Sequence, residues 1–210
     1  MLPTTPRAWI RLPVSGGRLD LLNPSPEAWT DEDLAVRIAR TYRWGGDSAW
    51  PLPLSVAQHS LTVLALRRQW SKETLGVEQQ LKCLLHDGEE AFLSFDCITP
   101  LKGVLGQPFK DVCDRLMGAI EERYSLRAWQ PEEYRVHKEA DRIAAACEAV
   151  HVVGWQRHEV RDVLGITHSI LNEDPLPRPS GYAPWEPWPA DVAANQFLKE
   201  LHTLTQAHRQ

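Results

Sequence analysis

The stretch Leu84-Leu85-His86-Asp87-Gly88-Glu89-Glu90-Ala91 constrains this chain more than any other. An apolar run of Leu81, Leu84 and Leu85 leads directly into a histidine and an aspartate side by side. Residues four apart share a face of a helix. The pattern therefore predicts a central helix from about Glu78 to Leu93, with His86 and Glu90 pointing the same way and Asp87 beside them. A solvated helix gains nothing from a histidine and acids set against a leucine stripe. A metal site does, because imidazole and carboxylate both ligate divalent cations and a nearby carboxylate can move a proton. A His-Asp pair by itself is common on surfaces and at helix caps, so the rest of the chain has to decide.

The 210 residues suit one domain, or one domain with a decorated end, and 43% hydrophobic against 24% charged residues is the balance of an ordinary globular chain. A formal charge of −5 argues against a broad nucleic-acid surface; a small nucleotide needs only a few local cations. Cys83, Cys97, Cys113 and Cys147 form no C-x-x-C pair, which disfavours a zinc ribbon or redox motif. Cys83, Cys113 and Cys147 fall in helical apolar patterns and are expected to be small buried hydrophobes. The opening Met1-Leu2-Pro3-Thr4-Thr5-Pro6 lacks a basic region followed by an apolar run, and no stretch approaches membrane-spanning length. The expectation is a cytoplasmic protein with reduced thiols and no membrane partner.

Trp9-Ile10-Arg11-Leu12 and Arg18-Leu19-Asp20-Leu21-Leu22, separated by Ser15-Gly16-Gly17, predict a short β-hairpin covering one side of a helical core. Thr30 and Asp33 mark a capping box and a helix running to about Tyr42. At its exit stands Arg43-Trp44-Gly45-Gly46-Asp47, where a guanidinium could meet phosphate and an indole could stack on a flat ring. Ser55 caps a largely buried helix from Val56 to Leu66 that carries His59. Asp96 to Lys102 reads as a loop stopped by Pro100, with Asp96 placed for a sugar hydroxyl and Lys102 for a phosphate. Helices follow from Phe109 to about Tyr124 and from Glu132 to about Val153. In the second, Asp141 precedes a run of alanines, which fits a buried carboxylate with a fixed partner. The proline-rich stretch from Asn172 to Ala190 reads as extended and pinned by Trp185 and Trp188, and a last helix runs from about Asp191 to Gln206.

One histidine, a His-Asp doublet and one aspartate, in the order His59, His86-Asp87, Asp141, resemble the HD-domain metal-dependent phosphohydrolases over about Leu34 to Val153. A finer resemblance is to the 5'-deoxynucleotidase branch and its phage-type deoxynucleoside triphosphatase relatives. It is carried by Arg43-Trp44, Ser55-Val56-Ala57-Gln58-His59-Ser60, His86-Asp87-Gly88-Glu89-Glu90, Asp96 through Thr99-Pro100-Leu101-Lys102, and Lys138-Glu139-Ala140-Asp141. The resemblance implies a mostly α fold, an HD-domain helical bundle with a small N-terminal hairpin. Residues 1–30 would form the hairpin and lead-in, 31–160 the core, and 161–210 a proline-rich segment and a C-terminal helix packed on it. Two departures stand out: His86 to Asp96 is one residue longer than the usual spacing, and the proline-rich segment is outside the family pattern.

The same resemblance implies that His59, His86, Asp87 and Asp141 hold one divalent ion, that Glu90, with Asp87, serves catalysis, and that Arg43, Trp44, Asp96 and Lys102 meet substrate. Two imidazoles and two carboxylates, completed by water or substrate oxygens, favour a six-coordinate divalent ion, Co, Mn, Fe, Ni or Mg, with the histidines favouring a transition metal. The expected activity is that of a 5'-deoxynucleotidase, with a dNTP triphosphohydrolase or a non-catalytic nucleotide-binding module as alternatives. By analogy a homo-oligomer is expected, and no nucleic-acid polymer as partner. His137 and His151 have no spacing that places them by the ion.

Overall fold

The hydroxyl of Ser55 accepts a hydrogen bond from the Gln58 N–H at 3.1 Å and opens the helix on which the molecule is built. From Val56 to Arg67 every residue of this helix is buried. A helix apolar on all sides belongs at the centre of a domain. The computed structural model describes residues 8–71, 74–168 and 170–210; the reading of Met1 to Pro6 lies outside them.

Two short strands, β1 (Trp9–Arg11) and β2 (Arg18–Asp20), pair antiparallel with Ile10 opposite Leu19. The helices are α1 (Asp31–Arg40), α2 (Val56–Trp70), α3 (Val77–Leu85), α4 (Gly88–Leu93), α5 (Thr99–Arg123), α6 (Pro131–Glu148), α7 (Arg157–Leu164) and α8 (Ala190–His208). The chain is thus mostly helical with a small N-terminal hairpin, as the periodicity predicts. Leu61 and Leu64 of α2 pack with Leu34 and Ile38 of α1, Leu81 and Leu84 of α3, and Phe197 and Leu201 of α8. Val63 and Leu66 pack with Ala140, Ile143, Ala144 and Cys147 of α6, and with Val160 and Trp185. Helix α2 is the shared wall of the two clusters, and each fully buried leucine there contributes on the order of 1.5–3 kcal/mol.

Four sequence expectations change. The single central helix is two: α3 stops at Leu85, and Asp87 leaves helical geometry at φ −111°, ψ 28° before α4 begins. Gly88 lies so close to α5 that an added Cβ would come within 2.8 Å of Ile120 Cδ1, an approach a helical period does not encode. Pro100 opens α5 instead of ending a loop, since the first turn of a helix has no use for the missing N–H. The real interruption of α5 is Gly106, at φ 69°, ψ −158°, a region open to glycine. Helix α6 ends at Glu148 and passes into a π-turn over Ala149–Val153, and α7 was not foreseen. Cys83, Cys97 and Cys147 are buried, whereas Cys113 is half-exposed; all four are free thiols.

The proline-rich segment is pinned, as expected, through buried Trp185 and Trp188. Its anchor is Gln58, whose Oε1 accepts from Trp188 N–H at 2.8 Å and whose amide donates to Glu186 O at 3.0 Å. The neighbour of His59 is thereby tied to a strand of chain 130 residues away. Among the described residues no helix is long and apolar enough to cross a membrane.

Asp33 joins the hairpin to α1. Its carboxylate accepts from Val14 N at 2.8 Å, Ser15 N at 3.1 Å and Thr30 N at 3.1 Å, while its own N–H donates to the Thr30 hydroxyl. Burial alone would raise its pKa, but the hydrogen bonds from Ser15, Thr30 and Val14 prevail and lower it. A depressed carboxylate pKa adds stability that is complete above the unfolded value of about 3.9 and fades as pH falls below it. Asp33→Ala should therefore lower stability by about 1–2 kcal/mol at pH 7 in urea melts. The difference between wild type and variant should shrink as pH drops below about 4.

Candidate metal centre

Three separate pieces of chain deliver the side chains. His59 stands on α2, His86 and Asp87 at the α3–α4 break, and Asp141 on α6. His59 Nε2 lies 3.2 Å from Asp141 Oδ1 and 3.5 Å from Asp87 Oδ2. His86 Nε2 lies 3.1 Å from Asp87 Oδ2 and 3.8 Å from Asp141 Oδ1. Ligands about 2.0–2.2 Å from a shared ion sit about 3.0–3.5 Å from one another. His59, His86 and Asp87 each place a ligand atom within 4.8 Å of the others, and Asp141 Oδ1 stands within 3.8 Å of both imidazoles.

Proton accounting tests the fit. The His59 Nδ1–H donates to Glu148 Oε1 at 2.6 Å, and the His86 Nδ1–H donates to Cys83 O at 2.9 Å. A carboxylate and a carbonyl only accept, so the proton of each neutral ring sits on Nδ1. Both Nε2 atoms are then lone pairs, buried and without a hydrogen-bond partner, aimed at carboxylate oxygens. Lone pair against lone pair is repulsive until a cation lies between, either a proton on each ring or one divalent ion. Burial lowers the pKa of His86, but Asp87 and Asp141 outweigh it and raise it well above the ordinary value. For His59, burial and Arg43 pull down while Glu148 and Asp141 prevail upward. Against their burial, Asp87 and Asp141 are held low by the same two histidines.

Around the cage the charges do not balance. Among the described residues, Asp87, Glu89, Glu90, Asp96, Asp141 and Glu148 face Arg43, Lys102 and Lys138 as permanent cations. Glu90 carries the consequence most plainly. Burial, with Asp87, Asp96 and Glu89 near, pushes its pKa up to about 10, and its Oε2 has no partner. Glu89 rises to about 7 through burial and Asp87. Lys102 Nζ stands 3.4 Å from Glu90 Oε1, and Arg43 Nη1 lies 3.7 Å from Asp96 and 3.8 Å from Asp87. Trp44, at φ 59°, is a bulky residue in left-handed backbone, a strained state of the kind found at working sites. Its indole meets Trp155 edge-on at 5.6 Å and donates to Glu148 Oε2 at 3.3 Å.

Glu148 is the residue the sequence reading missed. It accepts from His59, from Arg43 Nε at 2.8 Å and from Trp44, and is itself 2% exposed. The available signal was its place two turns beyond Asp141, on the same helix face. His137, one turn before Asp141, packs edge-on to His86 at 4.7 Å and stacks on Trp129. Burial and His86 lower its pKa to about 2, so it stays neutral behind the ligand. His151 is occupied elsewhere, bonded to Leu171 O and stacked on Trp185. Arg37 fastens the short α4 from outside, donating to Ala91 O, Phe92 O and the Ser94 hydroxyl.

An uncharacterized protein of Rhodobacter capsulatus is 37% identical to this chain over 166 residues, which is 79% of this chain and 83% of the relative. No family model matches.

Adding Mn²⁺ or Co²⁺ to metal-stripped protein should raise its melting temperature, since saturation at 100 Kd stabilises by about 2.7 kcal/mol. Asp87→Ala and Asp141→Ala should each abolish that rise, read by scanning calorimetry with and without metal. An unchanged rise in either variant would remove that side chain from the ligand set.

Proposed function

The chain belongs to one family with the uncharacterized Rhodobacter capsulatus protein, and we propose that it hydrolyses the phosphate ester of a small deoxynucleotide as a metal-dependent 5'-deoxynucleotidase. The observation that carries the hydrolytic part is the convergence of the His59 and His86 Nε2 atoms and two carboxylates beside Glu90, Arg43 and Lys102. The deoxynucleotide part rests on the resemblance of the Arg43-Trp44, Gln58-His59 and Thr99-Pro100-Leu101-Lys102 segments to that branch. A cytoplasmic setting suits the free thiols.

His59, His86, Asp87 and Asp141 hold the ion, which when bound polarises a phosphoryl oxygen and makes water more acidic. Arg43 is fixed through Nε by Glu148, which leaves its Nη groups for the phosphate oxygens. Its guanidinium carbon is 5.9 Å from the Trp44 ring, so the indole walls the site beside the phosphate. Lys102, its side chain 44% exposed, reaches the same region from α5 and adds a second positive charge. Phosphoryl transfer asks chiefly for such positioning and charge stabilisation. Glu90 keeps a proton at neutral pH, so it can hand one to the departing sugar oxygen and take one back from water. Asp96, 3.7 Å from Arg43, is placed to accept from a sugar hydroxyl.

A panel of dNMPs, NMPs and dNTPs with Mn²⁺, Co²⁺ and Mg²⁺ tests the reading. Inorganic phosphate released from dNMPs is expected; triphosphate from dNTPs would move the assignment to the neighbouring activity. Metal-loaded protein inert toward every member would refute it. Glu90→Gln should retain the ion and lose about 10²–10⁴ in kcat. Arg43→Ala should act mainly on KM, by about tenfold or more.

A further inference from the structure

Glu148 ties two separate binding functions to one side chain, and we infer that it is a positioning residue that sets both metal affinity and phosphate affinity. The inference rests on the proposed phosphohydrolase site. One carboxylate oxygen, Oε1, accepts from the His59 Nδ1–H at 2.6 Å. The other, Oε2, accepts from Arg43 Nε at 2.8 Å and Trp44 Nε1 at 3.3 Å. His59 is a proposed ligand on α2, Arg43 the proposed phosphate cation on the turn after α1, and Glu148 closes α6.

Each bond has its own consequence. Toward His59, an acceptor at Nδ1 keeps the proton off Nε2, fixes the ring plane and makes Nε2 more basic, as outer-shell carboxylates do for metal-bound histidines. Toward Arg43, holding Nε pins the planar guanidinium, so the Nη edge is oriented before an anion arrives. Trp44, in strained backbone at φ 59°, is held by the same oxygen. Glu148 is 2% exposed, so its two oxygens are served by these three donors from within the protein.

Glutamine separates this role from filling space. It has one acceptor oxygen where glutamate has two, and its amide N–H must face either the His59 Nδ1–H or the donors of Arg43 and Trp44. Whichever way it turns, one donor set loses its acceptor. Aspartate keeps the charge but withdraws both oxygens by one methylene.

The test uses the full chain, metal-stripped, titrated first with Mn²⁺ and then, at saturating Mn²⁺, with inorganic phosphate. Glu148→Gln is expected to weaken Mn²⁺ by about 10- to 100-fold and phosphate by about tenfold, with Glu148→Asp recovering part of both. Trp50→Phe is the comparison: it removes a tertiary hydrogen bond from Trp50 Nε1 to His151 O, 2.9 Å long, outside the cage. It should lower the melting temperature and leave both affinities in place. A folded Glu148→Gln protein with wild-type Mn²⁺ and phosphate affinities would overturn the inference while leaving the phosphohydrolase reading intact. So would a Trp50→Phe protein that loses as much affinity. Should the glutamine chain not fold, wild-type affinities in Glu148→Asp would overturn it equally. A wild-type chain that takes up no Mn²⁺ would instead sink the metal site itself.

Discussion

Two imidazole nitrogens aimed at two carboxylate oxygens, with their ring protons already committed elsewhere, are the constraint on which the rest of the molecule depends. His59 and His86 cannot be left in that arrangement as bare neutral rings, because the lone pairs of nitrogen and oxygen meet across less than 4 Å. The fold holds them there regardless. Helix α2 is locked between two apolar clusters and cannot rotate to relieve His59. The α3–α4 break is clamped by the close approach of Gly88 to Ile120 and by Arg37 on the carbonyls of α4. Such a structure stores an appetite for positive charge, which is the property of a metal centre before any metal is considered.

The outer contacts have a common logic. Three of the four proposed ligands are steadied by a group outside the cage. Glu148 takes the far nitrogen of His59, Cys83 O that of His86, and Lys138 pairs with the second oxygen of Asp141. His137 backs the ring of His86 and stays neutral there because burial and His86 both disfavour its charged form. Orientation is thus supplied by hydrogen bonds and packing outside the cage, and the ligating atoms are left free.

Several of these features were visible in the one-dimensional pattern. The Thr30–Asp33 capping box, the hairpin and the buried course of α2 follow from local rules of spacing and side-chain type, whereas the His59, His86, Asp87 and Asp141 set came from the resemblance to a known family. What escaped were features produced by contact between distant segments. The central helix looked continuous because its apolar stripe is continuous, whereas Asp87 leaves helical geometry where Gly88 lies close against α5. Pro100 looked like a stop because proline is read from its neighbours, whereas its place was set by where α5 begins. Glu148 was passed over because its partners lie 89 to 105 residues away.

By itself the sequence determined that the chain would be helical, that α2 would be buried, and that His59 and Asp141 would ride on helices with His86 and Asp87 after an apolar helical run. Those outcomes depend on periodicity, caps and burial, which act over a few residues. Only the tertiary structure decided that both imidazoles would stand 3.1 to 3.8 Å from the two aspartates, that Arg43 and His59 would share one carboxylate, and that Glu90 would be buried deeply enough to keep its proton. Convergence is a matter of how helices cross and how far solvent is excluded, and neither is set by the residues of one helix alone.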